Sequence, residues 1–214
     1  MSKTLQIKVC GIRDQSELID ALGVDYIGHI FWEQSSRYLE PAAAEVAAHI
    51  AVKAKRIGVF VDATTDELMS QIEKYHLDGV QLHGNESTIA LAQLRQRFDG
   101  LILKAFSIAE HFDFSRTAAY AESADLFVFD AAGRLPGGNG HAFNWRLLES
   151  YRGTSRFLLS GGIGPDQLSD LKLFFTSKAS EKCIGLDLNS QFELSPAQKD
   201  ITKLANFITQ IQSL

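Results

Sequence analysis

Residues 5–10 read LQIKVC, and their alternation decides how the rest of the chain is read. Ile7 and Val9 share one side of an extended segment and Lys8 and Cys10 the other, because successive side chains of a strand point to opposite faces. Three later runs divide the same way. Val80 and Leu82 oppose Gln81 and His83, Phe127 and Phe129 oppose Val128 and Asp130, and Ile184, Leu186 and Leu188 oppose Gly185 and Asp187. A parallel sheet covered by helices must show them an apolar face, so the polar set is expected on the other side.

Working outward, eight short apolar or β-branched runs recur, at residues 5–10, 26–31, 56–61, 79–83, 101–106, 126–130, 157–160 and 183–188. Each is followed by a polar turn and a segment with helical spacing. The 214 residues divide into eight units of about 27, near the ~30 of a strand with its crossover helix. Helix starts fall in this register. Asp14 with Glu17 and Thr64 with Glu67 have capping-box spacing, and Pro41 suits a first helical turn. Asn144 precedes WRLLESY, Pro165 precedes DQLSDLKLFF, and a last amphipathic helix is expected from about Pro196 onward. With no linker and a polar inner set, residues 1–214 are expected to form one α/β domain, a single-domain (β/α)8 TIM barrel with its chemistry at the C-terminal ends of the strands. An open doubly wound sheet is the competing topology.

Composition narrows the function. A 45% hydrophobic and 22% charged chain can build a core, which excludes disorder and fibrous repeats. Lys+Arg 21 against Asp+Glu 26 gives a net charge of -5 without a basic cluster, so neither nucleic acid nor an acidic membrane surface is an expected partner. The start of the chain lacks a signal or transit pattern, and the apolar stretches fall short of the ~20 residues of a membrane span. A cytoplasmic protein is expected. Cys10 and Cys183 lack C-x-x-C spacing and read as reduced thiols, and the six histidines form no i,i+4 or H-x-H pair. No Walker A or dinucleotide fingerprint is present. No metal and no cofactor is expected.

The chemical groups collect at strand ends. A strand cysteine is usually a small buried hydrophobe, but Cys10 lies at the rim beside Lys8, whose ammonium favours a thiolate. Cys183 begins its strand and reads as structural. Asp130 closes the apolar run LFVFD, where a buried carboxylate is costly unless paired or used; Asp187 has the same setting. Spacing alone does not sort one thiol and two carboxylates into roles. AAGRLPGGNGHAF, after Asp130, holds four of the 16 glycines and reads as a connector or a lid. Gly161 and Gly162 in LSGGIGP, with Asn189 and Ser190 after the eighth strand, occupy the position where such barrels hold phosphate. Arg37, in WEQSSRYLEP, is either a solvated loop arginine or a fork for a ligand carboxylate.

In order, KVCG (8–11), DYIGHIFWEQSSRYLEP (25–41), GVFV (58–61), VQLHGNE (80–86), LKAF (103–106), FDAAG (129–133), GGNGHAFNW (137–145), LSGGI (159–163) and GLDLNSQFE (185–193) resemble the phosphoribosylanthranilate isomerase family across nearly the whole chain. The resemblance implies a cofactor-free barrel of tryptophan synthesis. Its reaction converts N-(5-phosphoribosyl)anthranilate to the carboxyphenylamino-deoxyribulose phosphate by an Amadori rearrangement. It places the general base on Cys10, the general acid on Asp130, the anthranilate-carboxylate contact on Arg37, and the phosphate loops on Gly161, Gly162, Asn189 and Ser190. The expected partner is a small phosphosugar, and the chain is expected as a monomer or homodimer. Acid and base in opposite protonation states ask for a raised Asp130 pKa and a lowered Cys10 pKa.

The sequence departs from the family at several positions. Asp187-Leu188-Asn189-Ser190-Gln191 stands where D-V-S-S-G is common, Asn139, His141 and Ala142 stand where Thr or Ser and Lys-Thr are frequent, and His29 replaces an aromatic residue. Two other readings stay open. Another phosphosugar isomerase would be expected to carry an aspartate at Cys10, and a non-catalytic phosphate-ligand module would bind without turnover.

Overall fold

Residues 5–132 and 143–213 are described by the structure, a computed structural model. Eight parallel strands, β1 (Gln6–Cys10), β2 (Tyr26–Ile30), β3 (Lys55–Phe60), β4 (Gly79–Leu82), β5 (Leu101–Ile108), β6 (Leu126–Ala131), β7 (Phe157–Leu159) and β8 (Cys183–Leu188), close in chain order into a barrel, with β1 paired to both β2 and β8. The open doubly wound alternative is therefore excluded.

The two faces of the strands are filled differently. Outward-facing Ile7, Val9, Ile27, Val80, Leu82, Phe127, Phe129, Leu186 and Leu188 pack in one large cluster with helix residues such as Ile19, Leu68, Leu91, Leu171 and Leu204. Inside, Tyr26, Ile57, Leu103, Leu126, Val128, Leu158 and Ile184 form a second apolar cluster. This apolar layer fills the middle of the barrel, and Cys10, Gln81, Asp130 and Asp187 follow it toward the C-terminal strand ends. Ile184 departs from its expected outward side because the β7–β8 ladder pairs Phe157 with Cys183 and Leu158 with Gly185, skipping it. Each buried aliphatic or aromatic side chain contributes roughly 1.5–3 kcal/mol. The apolar layers therefore fix the lower barrel while the upper one is free to carry polar groups.

Among the described residues six α-helices lie outside: α1 (Ser16–Asp20), α2 (Pro41–His49), α3 (Thr65–Tyr75), α4 (Thr88–Arg95), α5 (Leu168–Phe175) and α6 (Ile201–Ile211). The expected capping box opens α3, with the Thr64 N–H donating to Glu67 Oε2 at 2.8 Å and the Glu67 N–H to Thr64 Oγ1 at 3.3 Å. Pro41 begins α2. The Asp14–Glu17 box does not form: α1 starts after Gln15 without a side-chain cap. In units five and six the crossovers are 3-10 helices, Phe114–Tyr120 and Trp145–Ser150, and a 3-10 turn over Pro165–Gln167 precedes α5. The last helix begins at Ile201, capped by Asp200, and not at Pro196. The intervening residues instead form an antiparallel hairpin, β9 (Glu193–Ser195) and β10 (Gln198–Lys199). Among the described residues no helix is long and apolar enough to cross a membrane.

Candidate active site

The C-terminal ends of the strands surround a cavity that gathers all the candidates chosen from the sequence. Cys10, Arg37, Asp130, Gly161, Gly162, Asn189 and Ser190 all line it, together with Trp32, Gln81, His83, Ser160 and Asp187. Cys183, at the start of β8, does not.

Cys10 owes its position to β1, whose inward side carries Lys8 one step below it. Lys8 and Asp187 are register partners across the β1–β8 seam, and Lys8 Nζ lies 2.9 Å from Asp187 Oδ2 with both side chains buried. Burial alone would lower the lysine, but the charges of Asp187 and Cys10 hold its pKa above the ordinary value. For Cys10 the balance goes the other way. Burial pushes the thiol pKa up; the ammonium groups of Lys8 and Lys199 oppose this, and the carboxylate of Asp187 adds to it. The lowered thiol expected from Lys8 is therefore corrected, because full desolvation outweighs an ammonium that Asp187 already engages.

Asp130 is buried at the end of β6. Its Oδ1 accepts from the Ala131 N–H at 2.9 Å, and its Oδ2 lies 3.3 Å from His83 Nε2. His83 Nδ1 is in turn 2.9 Å from Gln81 Nε2. Gln81 and His83 share an inward parity, so the alternation places both at the rim. It did not single out Gln81. Gln81 Oε1 and Asp187 Oδ1 are buried in this cavity without a hydrogen-bond partner among the described residues. Buried polar atoms are almost always satisfied, so these two are available to a ligand.

Two glycines make room for these groups. Gly161 has φ +88°, and a Cβ there would lie 2.5 Å from the Ala131 nitrogen and 2.9 Å from Asp130 Oδ1. Gly11 has φ +73°, and its Cβ would meet Arg37 Cδ at 2.8 Å. Arg37 thus crosses over the end of β1, directed by Glu193: Nε lies 2.9 and 3.0 Å from the two carboxylate oxygens and Nη2 2.6 Å from Oε2. The solvated-loop reading of Arg37 does not hold, because its side chain is only 14% exposed. Glu193 also accepts from Lys199 Nζ at 2.8 Å, and the same ammonium donates to Asn189 Oδ1 at 2.7 Å. Neither Glu193 nor Lys199 was singled out from the sequence, since both sit on the unforeseen hairpin. Gln191, where the family pattern has glycine, packs its Cβ beside Gly164, where an added Cβ would come within 2.8 Å.

His29, where an aromatic residue is usual, buries its ring with Nδ1 2.9 Å from the Ile12 carbonyl oxygen, and burial lowers its pKa to about 4. The glycine-rich segment after Asp130, including Asn139, His141 and Ala142, falls almost wholly outside the described residues.

The family model for N-(5'-phosphoribosyl)anthranilate isomerase matches residues 7–210. A Parabacteroides distasonis protein named N-(5'-phosphoribosyl)anthranilate isomerase is 42% identical over 209 residues, covering 96% of this chain and 92% of its own length. A Phocaeicola vulgatus protein of the same name is 38% identical, covering 96% and 97%. The crystal structure of phosphoribosyl anthranilate isomerase from Thermus thermophilus superimposes with a TM-score of 0.82 at 27% identity, over 98% of this chain and 99% of that one. Its counterpart from Thermotoga maritima gives 0.82 at 26%, over 98% and 100%. A match that runs through all eight strands, on a barrel whose rim brings a thiol, a carboxylate and an arginine into one cavity, leaves one assignment: the chain belongs to the N-(5'-phosphoribosyl)anthranilate isomerase family.

Proposed function

We propose that this chain isomerises N-(5'-phosphoribosyl)anthranilate to 1-(2-carboxyphenylamino)-1-deoxyribulose 5-phosphate, with Asp130 as general acid and Cys10 as general base. The observation that carries the residue roles is the shared cavity: a buried thiol from β1 and a buried carboxylate from β6, lined also by Arg37 and by the Gly161–Gly162 and Asn189–Ser190 loops. The substrate has one carboxylate and one phosphate, and the cavity offers a guanidinium for the first and glycine-rich backbone for the second.

The chemistry needs two proton transfers. Asp130, protonated, gives its proton to the furanose ring oxygen as the bond from that oxygen to C1 breaks, leaving a Schiff base between C1 and the anthranilate nitrogen. Cys10, as thiolate, takes the C2 proton, and the electron pair left behind forms the C1–C2 double bond of the enolamine. Proton return to C1 and loss of the hydroxyl proton from O2 give the ketone, so atoms and charge balance without a cofactor. The Lys8 and Lys199 ammonium groups are the features that favour the thiolate against burial. Close to Asp130, His83 Nε2 is placed to bond the carboxyl group once its proton has left.

A cytoplasmic setting and a monomeric or homodimeric state are part of the same proposal. A chain with two cysteines and no C-x-x-C spacing supports the first. Expression in a tryptophan auxotroph lacking this isomerase tests the reading: growth is expected with the natural chain and not with Cys10→Ala. Failure of the natural, folded chain to support growth or turn over phosphoribosylanthranilate in vitro overturns it.

A further inference from the structure

Arg37 is held by the edge of its guanidinium that an incoming carboxylate does not need. Glu193 takes the Nε–Nη2 side, at 2.9, 3.0 and 2.6 Å, which leaves Nη1 and the second hydrogen of Nη2 as a complete two-pronged fork. Arg37 is itself on the cavity wall. Glu193 is 94% buried by side chain and would be a costly anion there, yet it is met from the other side by Lys199, whose side chain has no exposure at all. Lys199 passes the connection on to Asn189, which lines the same cavity. The three charges Arg37, Glu193 and Lys199 leave one net positive charge, facing a site proposed to take an anion.

We propose that Glu193 is a positioning residue for substrate recognition: it fixes the free fork of Arg37 toward the substrate carboxylate, and through Lys199 it ties that fork to the Asn189 loop. This rests on the proposed role of Arg37. Without Glu193 the arginine would be one more long, rotatable cation with five donors and no preferred direction, and holding it in place would cost side-chain entropy at each binding event. With it, the fork is set before the ligand arrives. Gly11 serves the same arrangement, since any side chain there would occupy the path of the Arg37 stem. The buried hydrogen bonds from Arg37 and the charge of Lys199 outweigh burial and keep Glu193 below the ordinary carboxylate range, so it stays an anion.

The test compares two stable ligands by calorimetric titration: reduced 1-(o-carboxyphenylamino)-1-deoxyribulose 5-phosphate, present in complex with one structurally characterised relative, and the same molecule without its ring carboxylate. The natural chain is expected to prefer the carboxylated ligand. Arg37→Ala and Glu193→Gln are each expected to lose most of that preference, about tenfold or more, while affinity for the carboxylate-free ligand changes little. The double variant is expected to be no worse than Arg37→Ala alone. Glu193→Asp, which keeps the charge on a shorter stem, is expected to fall between, and provides the measurement if Glu193→Gln does not fold. General structural damage would weaken both ligands together. If Glu193→Gln retains the preference, or weakens both ligands equally while Arg37→Ala loses only the preference, the proposal is overturned. If Arg37→Ala itself retains the preference, the role of Arg37 falls and this proposal with it.

Discussion

Lys8 and Asp187 form the ion pair that closes the barrel: they face each other across the β1–β8 seam at 2.9 Å, and the ammonium has no exposure to solvent. Removing one partner of a buried pair strands the other charge, at a cost of about 3–5 kcal/mol. Lys8→Met is therefore expected to lose that much stability by urea unfolding, and the double variant Lys8→Met/Asp187→Leu to recover part of it. Equal loss in the single and double variants would sink this account.

The same lysine bears on the thiol. Burial raises the Cys10 pKa above its ordinary value of 9.0, so the thiolate is scarce at neutral pH and increases about tenfold per pH unit up to that value. Alkylation of Cys10 by iodoacetamide, followed by mass spectrometry, is expected to climb steadily past pH 9 and to need still higher pH in Lys8→Met. A plateau below pH 8 would contradict the balance described for this group.

His29 makes the fold sensitive to acid. Its folded pKa is about 4 against 6.5 ordinarily, so between these values the unfolded chain binds the extra proton and stability falls as pH is lowered through the window. The full effect is roughly 3 kcal/mol and is complete below pH 4. His29→Phe gives up the bond to the Ile12 carbonyl but is expected to flatten the stability curve between pH 6.5 and 4, measured by urea unfolding at several pH values. An unchanged slope would assign that sensitivity elsewhere.

Asp130→Asn keeps the shape of the acid and removes its proton. A fall in kcat of ~10²–10⁴-fold is expected, with the reduced analogue still bound. Full turnover by the purified variant would remove Asp130 from the reaction.

Gly11→Ala tests the space beneath Arg37. A left-handed backbone costs a non-glycine residue roughly 1–2 kcal/mol, and the added methyl would push on Arg37 Cδ. Lower stability and weaker binding of carboxylated ligand are expected together. Unchanged affinity would mean that Arg37 has room to shift.

What could be read from the sequence was what repeats. Alternation in β1, β4, β6 and β8 gave the barrel and brought Cys10 and Asp130 to one rim, because strand geometry fixes side-chain direction without regard to distant residues. The β8 run matched its strand at both ends, yet Ile184 turned inward, since a bulge depends on the neighbouring strand. Pro196 suggests a helix start where β10 forms instead: the Ala197 N–H is taken by Glu193 on the preceding strand, and the Lys199 N–H by Gln15 from far along the chain. Thr64 and Glu67 made their box within four residues, but Asp14 and Glu17 did not, where Gln15 is instead bonded to the main chain of Lys199. The raised thiol of Cys10 was equally hidden, because desolvation belongs to the assembled cavity and not to any tripeptide.

That clasp between Gln15 and Lys199 joins the first loop to the last hairpin, and Lys8–Asp187 and Arg37–Glu193 span the same two ends of the chain. Lys8, Gln15 and Arg37 therefore stay without these partners until the last unit of the chain has folded. The thiol, its lysine and the arginine fork all emerge early, but each waits for a partner from the eighth unit, so the environment they need comes into being only when the sheet closes on itself. For this barrel, turnover during refolding is expected to appear with the final step of assembly, which makes catalysis itself a timer for ring closure.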